Sequence, residues 1–591
     1  MTAKLTDNAL KVLQARYLRR NAGGQIAETP AQLFQRVARA VSEAELLYGT
    51  AAQAGEWEDR FYEVMSSLDF LPNSPTLMNA GTELGQLSAC FVLPVEDTME
   101  SIFGTLRDLA MVQRTGGGTG FSFSHLRPAG DALRSSGGTS SGPVSFMKIY
   151  DCATENIKLG GRRRGANMGV LRVDHPDIEQ FIDSKRDGAS LRNFNISVGV
   201  TDSFMEAVEA NSDFALRHPA DNRTLAHRKA RALFDSICNA AWATGDPGLV
   251  FLDTIERANP TPLVGHIECT NPCGEVPLLP YESCNLGSIN LTHFVIEGGE
   301  PEVDWERLRA LVSAAVRFLD DVITVNRFPI EATHRVTIGN RKIGLGVMGF
   351  AEMCIMLGLP YASDAAVRFA GDLMGFIARE SRASSARLAE ARGVFPNWEQ
   401  SVYQSKGLRL RNATQTSIAP TGTISIIAGT SSSIEPLFAL AYLRKNVLDG
   451  QTLSEFNPVF LRCLERRGLA PGEILNAVAQ HGDLSQSTDV PEELRRLFVT
   501  ALGISPEQHI RVQAAFQRHV DNAVSKTINL PEEATPDDVA RAYRLAYKMG
   551  GKGVTVFRYG SKTGQALELG VEEEFYEREH FIKCDPGACR L

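Results

Sequence analysis

The sequence predicts an α/β fold with a helical segment ahead of it, and three observations predict it. Short apolar runs, Ile424 to Ile427 and Val554 to Phe557, alternate with helical stretches such as Trp305 to Val325. Glycine-rich turns at Gly116-Gly117-Gly118, Gly137-Gly138 and Gly160-Gly161 punctuate them, which is the strand, turn and helix alternation of an α/β architecture. The chain has 591 residues, well past the ~250–300 at which a single hydrophobic core stops growing. One large barrel-type domain with insertions, or about two to four domains, is therefore expected.

Residues 1–70 read as helical. Leu33, Val37, Val41, Ala44 and Leu47 recur at three- and four-residue steps and give one apolar face, the pattern of a packing helix. Residues 71–565 carry the α/β pattern. Residues 566–591 read as a mobile tail, acidic and then ending in Cys584 and Cys589 around Asp-Pro-Gly. A cysteine pair on a mobile arm is either a carrier of reducing equivalents or incidental.

The net charge is −9, with no long Lys/Arg run, which argues against binding polymeric nucleic acid. No signal-type apolar core opens the chain, and no stretch approaches the ~20 apolar residues of a membrane span. A cytoplasmic protein with no membrane partner is expected. In that compartment ten cysteines point to thiols rather than structural disulfides.

The densest chemistry lies in HIECTNPCGEVPLLPYESCNLGSIN, residues 266–290, which holds Asn271, Cys273, Glu275 and Cys284. Pro272 and Gly274 flank Cys273 and set it on a tight loop. Such a loop can push a thiol into a cavity, with Glu275 beside it as a general base. A metal site on His266, Cys269, Cys273 and Cys284 is the rival, but no CxxC pair occurs here, so no metal is expected; structural cysteines are the third reading. Arg114 to Gly120, RTGGGTG, reads either as an anion-binding backbone or as a flexible turn. Gly160 to Asn167, GGRRRGAN, reads as a phosphate or base clamp or as a solvated charge run. APTGTIS and GTSSS, from Ala419 to Ser433, read as neutral phosphate donors or a Ser/Thr loop.

In this order the pieces resemble the catalytic chain of ribonucleotide reductases. The resemblance runs from about Asn73 to Gly560 through NSPTLMNAG, SACFVLPV, GGGTGFSFSHLRP, SGPVSFM, RRRGANMG, TNPCGE, SCNLGSINL, RKIGLGVMGFAEM, APTGTIS, SSSIEPLFALAY and GKGVTVFRYGS. It implies a ten-stranded α/β barrel with a catalytic finger loop inside. It implies a thiyl radical on Cys273 that takes the ribose 3′-hydrogen, Glu275 taking the 3′-hydroxyl proton, and Asn271 hydrogen-bonding near the sugar. Cys90 and Cys284 match the pair that supplies two electrons and becomes a disulfide. That disulfide must be reopened, which gives Cys584 and Cys589 the role of a shuttle reduced by thioredoxin or a similar dithiol.

The resemblance further places Asn73, Ser74 and Thr76, with Thr421, Gly422 and Thr423, at the substrate and its phosphates. Asp97, Arg114 and Arg127 match positions that bind a regulatory deoxynucleotide. Lys158 to Asn167 matches the loop relaying effector identity, with Lys158, Arg163 and Arg164 as contacts and Arg163 the foremost. Leu159 stands where some relatives carry glutamine, and a leucine side chain cannot hydrogen-bond a base. Effector sites of this family lie at a dimer interface, so a homodimer is expected.

Three radical sources serve the family. The sequence has no Tyr-Tyr pair of the kind through which oxygen-dependent chains receive a radical from a second subunit; near that region it has Phe557 and Tyr559. Arg558-Tyr559-Gly560 does not fit a glycyl-radical motif. Adenosylcobalamin remains, by resemblance and exclusion, since no separate cobalamin signature is present. The expected activity is reduction of ribonucleotides, as diphosphates, to 2′-deoxyribonucleotides. The alternative is an oxygen-dependent large subunit needing a separate radical-generating chain. No ATP-cone segment precedes the helical region, so no dATP activity switch of that type is expected.

Overall fold

Capping starts the N-terminal helices. In this computed structural model, which describes residues 5–133, 137–159, 163–448, 451–469, 471–485, 487, 490–561 and 567–569, Thr6 caps α1 (Asp7–Arg16). Thr29 and Gln32 form a capping box for α2 (Pro30–Ser42), and Thr50 and Gln53 do the same for α3 (Ala51–Ser66), each satisfying backbone donors the first turn leaves open. Leu33, Phe34, Val37, Ala38 and Val41 face the core as their spacing predicts. Leu47 does not. The α-helix ends at Ser42, a tighter turn covers Glu43–Leu47, and the change of period leaves Leu47 69% exposed.

Further helices wrap the sheet, among them α4 (Met99–Arg114), α5 (Pro143–Asn156) and α6 (Trp305–Val325). The last has the bounds its apolar spacing predicts. Ile424–Ala428, an apolar run resembling a strand, is a one-turn helix instead, an ambiguity that short apolar runs carry.

Ten strands share one sheet: β1 (Phe70–Pro72), β2 (Cys90–Val92), β3 (Gly118–Ser122), β4 (Asn167–Arg172), β5 (Phe194–Val200), β6 (Gly248–Phe251), β7 (Ser283–Asn290), β8 (Ile343–Met348), β9 (Thr527–Leu530) and β10 (Gly553–Arg558). β2 to β6 run parallel in sequence order. β6 meets β10 antiparallel, and β10 pairs β9 in parallel. On the far edge β7 pairs β2 antiparallel and β8 in parallel, while β1 shares the β2 edge of β7. Residues 414–418 complete the ring: Thr416 bridges Leu345 of β8 and Ile418 bridges Val524, which leads into β9, both in parallel. The result is a closed ten-place barrel of two parallel five-strand halves set antiparallel to each other. Closure removes the open edges a sheet would otherwise expose. Among the described residues no helix is long and apolar enough to cross a membrane.

A buried ion cluster fastens the helical region to this barrel. Asp320, fully buried on α6, accepts from Arg341 and Asn412 at 2.9 and 3.0 Å and from Arg392 at 3.1 Å. Arg392 also reaches Asp321 at 2.6 Å and Glu45, beyond α2, at 2.6 Å. Burial pushes the Asp320 carboxyl up, but Arg341, Arg411 and Arg392 together hold it below its ordinary value. Arg392→Met takes the cation away from Asp321 and leaves Glu45 with Arg317 alone, at 3.1 Å. It should destabilise the fold by about 3–5 kcal/mol, the usual cost of orphaning a buried charge, read as a lowered urea midpoint.

Candidate active site

The barrel interior is filled by a hairpin, Cys269–Thr270 paired with Pro277–Leu278, whose tip is residues 271–276. It crosses from one half of the barrel to the other. On the first side the Asn195 amide of β5 donates to the Pro272 carbonyl at 2.8 Å. On the second, the Glu275 carbonyl accepts from the Ala523 N–H at 2.8 Å and the Ser417 hydroxyl at 2.9 Å.

The sequence dictates the tip. Gly274 sits at φ +82°, the left-handed region glycine tolerates. The Asn271 side chain accepts from the Val276 N–H at 3.0 Å, and the Asn271 carbonyl from the Gly274 N–H at 3.1 Å. Cys273 is thereby presented, exposed, at the apex.

The RTGGGTG run has a steric purpose. An added Cβ on Gly118 would lie 2.9 Å from the Pro272 ring, and one on Gly120 would lie 1.8 Å from the Thr270 carbonyl oxygen. These glycines belong to β3 and clear a path for the hairpin; neither the anion loop nor the flexible turn read from the sequence describes them.

Beneath the tip, Cys90 of β2 and Cys284 of β7 are direct cross-strand partners, where Cβ atoms lie ~4.5–5.5 Å apart. Both are buried, at 2% and 0% exposure. The eight cysteines of the described residues are thiols. The Asn271 side chain acts on both the Cys90 sulfur and the Glu275 carboxyl, favouring their charged forms. Burial, then the charges of Glu275, Cys284 and Cys273, pushes the Cys90 thiol well up. Burial raises Glu275 to about 7, with Asn271 pulling the other way. Its Oε2 has no hydrogen-bond partner among the described residues, so a buried acceptor stands ready for a ligand donor. All five residues singled out for the chemistry thus converge at one place.

His266 is not among them. It is exposed and pairs with Glu256 at 2.8 Å, outside the barrel interior, so the four residues of the rival metal reading are not gathered.

Asn73 caps the short helix Ser74–Asn79, accepting from the Thr76 N–H at 3.0 Å, and its Nδ2 has no partner among the described residues. The Ser74 hydroxyl meets Tyr17 of the helical region at 2.8 Å. Thr76 is fully buried, and its hydroxyl donates within the turn to Asn73 or the Leu87 carbonyl. Thr421 takes φ +55° and accepts from the Ser433 N–H at 2.7 Å, leaving Gly422 exposed and Thr423 ahead of Ile424–Ala428.

Asp97 and Arg127 pair at 2.7 Å. Arg114 is not with them: Asp97 precedes α4 and Arg114 ends it, and 16 residues of helix span about 24 Å. Lys158 pairs with Arg164 and Leu159 with Arg163 in a small hairpin; residues 160–162 lie outside the described residues, as do Cys584 and Cys589 of the tail.

The tip also borders a cavity of about 330 Å³, lined by Pro272, Cys273 and Gly274 but, among the described residues, by none of Asn271, Glu275, Cys90 or Cys284. Cys273 therefore stands between the buried Cys90–Cys284 pair and this chamber. Glu435 and Lys526 line the chamber and form an ion pair. Sequence reading missed this pair, and also the buried Lys342–Glu282 pair beside Cys284. Lys342 sits in RKIGLG, a segment whose apolar remainder gives a lysine no evident task.

Residues 88–557 match the family model described as ribonucleotide reductase, barrel domain, and residues 3–85 that of the ribonucleotide reductase all-alpha domain. The chain is 50% identical to the vitamin B12-dependent ribonucleoside-diphosphate reductase of Thermoplasma acidophilum, over 96% of this chain and 81% of that one. It is 53% identical to the protein of the same name from Mycobacterium tuberculosis, over 95% and 81%. The alpha subunit of the Actinobacillus ureae class Id ribonucleotide reductase superposes with a TM-score of 0.76 at 24% identity, over 94% of this chain and 97% of that one, which shows the fold. Matched by both family models over most of its length, the chain belongs to the ribonucleotide reductase family.

Proposed function

We propose that this chain is an adenosylcobalamin-dependent ribonucleoside-diphosphate reductase. One observation carries the reading: Cys273, Glu275 and Asn271 meet the Cys90–Cys284 pair inside the barrel. Cys273, as a thiyl, takes the 3′-hydrogen of the ribose and later returns it. Glu275 takes the 3′-hydroxyl proton, which eases departure of the 2′-hydroxyl as water. Cys90 and Cys284 supply two electrons and two protons and close to a disulfide. Asn271 holds Glu275 and Cys90 in register.

Adenosylcobalamin, when bound, supplies the radical-generating homolysis of its cobalt–carbon bond. The chamber lined by Glu435 and Lys526 fits its nucleoside arm. At about 330 Å³ it falls at the lower end of ligand pockets of ~300–1,000 Å³, and a Cβ added to Gly274 beside it meets nothing within 4 Å. Asn195, Ser197, Glu435, Lys526 and Phe557 line it and would hold the group. The names of the Thermoplasma and Mycobacterium relatives support the same cofactor and diphosphate substrates.

Asn73 and Ser74, with the Thr421–Thr423 loop, would receive sugar and phosphates. Asp97 and Arg127, with Lys158, Arg163 and Arg164, would receive a deoxynucleotide effector. Met99 and Phe103, in the first turns of α4 just after Asp97, and Ile149 on α5 leave large apolar side chains exposed, which supports a homodimer joined through these helices. Cys584 and Cys589 would carry electrons from a thioredoxin-type dithiol.

The test is CDP reduction by the purified chain, anaerobic, with dithiothreitol, with and without adenosylcobalamin. Product only with the cofactor supports the reading. Product that needs a second protein chain instead would favour the oxygen-dependent alternative.

Glu275 adds a pH signature. With its carboxyl near pH 7, the base form is lost below that value and gained above it. The single-turnover rate should rise through about pH 7, tenfold per unit on its acid side, and Glu275→Gln should remove both the rate and the limb. A flat profile from pH 6 to 8 would reject Glu275 as the base.

A further inference from the structure

Resting on the redox-pair reading above, we infer that Lys342, held by Glu282, makes Cys284 the leaving thiolate when the Cys90–Cys284 disulfide is reopened, so that the reductant attacks Cys90.

The two sulfurs have opposite surroundings. Cys90 faces the finger tip, with Asn271, Glu275 and Cys273 about it and no cation among the charges acting on it. Cys284 has Lys342 beside it on the next strand, since Asn285 and Ile343, the residues that follow them, pair in parallel. Its thiol donates to the Asn285 and Lys342 carbonyls at 3.3 and 3.5 Å, and the strongest charge acting on it is the Lys342 ammonium, ahead of Glu282 and Glu275.

That ammonium is almost wholly buried, a costly arrangement for a charge. Its one hydrogen bond among the described residues goes to Glu282 Oε2 at 2.7 Å, which leaves N–H donors over. Glu282 is better satisfied: the Leu279 N–H donates to it at 2.8 Å and Asn340 at 2.6 Å. The carboxylate is saturated and fixes the lysine, while the lysine keeps donors for a sulfur anion.

Thiol–disulfide exchange runs fastest when the leaving sulfur is the better-stabilised thiolate. A dithiol entering from the substrate side meets Cys90 first. Its thiolate bonds to the Cys90 sulfur, the Cys90–Cys284 bond breaks, and Cys284 departs with the electron pair towards Lys342. The reductant's second thiol then displaces Cys90, the reductant ends as a disulfide, and its two protons end on Cys90 and Cys284.

The test uses the full-length chain carrying Cys584→Ser and Cys589→Ser, so that the tail cannot reopen the pair, after one turnover with adenosylcobalamin and CDP and no reductant. 2-Mercaptoethanol is added, the reaction is quenched in acid, free thiols are alkylated, and peptides are mapped. The expected result is the mixed disulfide on Cys90 and the alkyl group on Cys284; the reverse placement overturns the inference. In K342M/E282Q, which removes both charges together, reopening should slow by roughly threefold to tenfold, and part of the mixed disulfide should move to Cys284. A purely structural role would leave that partition unchanged, and an unchanged partition likewise overturns the inference. Absence of any Cys90–Cys284 disulfide after turnover would instead reject the redox-pair reading beneath it.

Discussion

Cys273→Ala is expected to abolish deoxynucleotide formation, by at least ~10³-fold, the scale on which enzymes lose rate when a bond-making side chain is removed. The substitution takes away one sulfur and little else. The tip keeps its shape without it, because Gly274, the Asn271 side chain and the Val276 N–H set the turn. The hairpin stays anchored through Pro272 and Glu275 to both halves of the barrel. Nucleotide binding, measured by equilibrium dialysis of CDP, should therefore remain within a few-fold of wild type. No alanine C–H bond can take over the reversible hydrogen exchange with carbon that a thiol performs. Cys152→Ala, at an exposed cysteine on α5, is the control and should change nothing. Sustained multiple turnover in Cys273→Ala would end the thiyl assignment. Loss of both turnover and CDP binding would mean instead that the tip had collapsed.

The two halves of this site were not equally legible. Asn271, Cys273 and Glu275 lie within five residues, and Pro272 and Gly274 between them announce a turn, so a local pattern was enough. Cys90 and Cys284 are nearly two hundred residues apart, and their register across β2 and β7 is a property of barrel closure that no periodicity encodes; only the family resemblance pointed to it. The strand 414–418 went unseen because Thr414, Gln415, Thr416 and Ser417 show no apolar alternation, although backbone hydrogen bonds tie it to Ile343 and Leu345 on one side and to residues 522–525 on the other. Ile424–Ile427 misled for the opposite reason, since three isoleucines around a buried Ser425 fill one helical turn and look the same as a short buried strand. Arg114 shares a helix with the Asp97 side of the effector pair, and sequence proximity hid the length of that helix. Lys342 and Glu282 gave no signal, since neither the Arg341-Lys342 pair nor a glutamate between Tyr281 and Ser283 shows its burial or its partner.

The RTGGGTG run makes the sharpest physical claim, because a glycine needed for space and one needed for flexibility look the same in a sequence. Gly120→Ala puts a methyl group 1.8 Å from the Thr270 carbonyl oxygen, about half a normal contact distance. Neither side can yield easily. β3 is bonded on one edge to β2 and on the other to β4, and the hairpin is pinned by Asn195, Ser417 and Ala523. Relief requires the hairpin to move by an ångström or more, and displacement of that size costs roughly 10²-fold in rate when it misaligns reacting groups. Gly120→Ala should thus lose about 10²-fold in kcat or more while retaining the α/β circular dichroism of the wild type. Gly104→Ala is the matched comparison. Gly104 lies inside α4 with nothing within 4 Å of the added methyl, and it should gain about 0.5–1 kcal/mol of stability with activity intact. Near-normal turnover in Gly120→Ala would show that Cys273 need not sit where this hairpin places it, and that the space left by β3 serves packing alone.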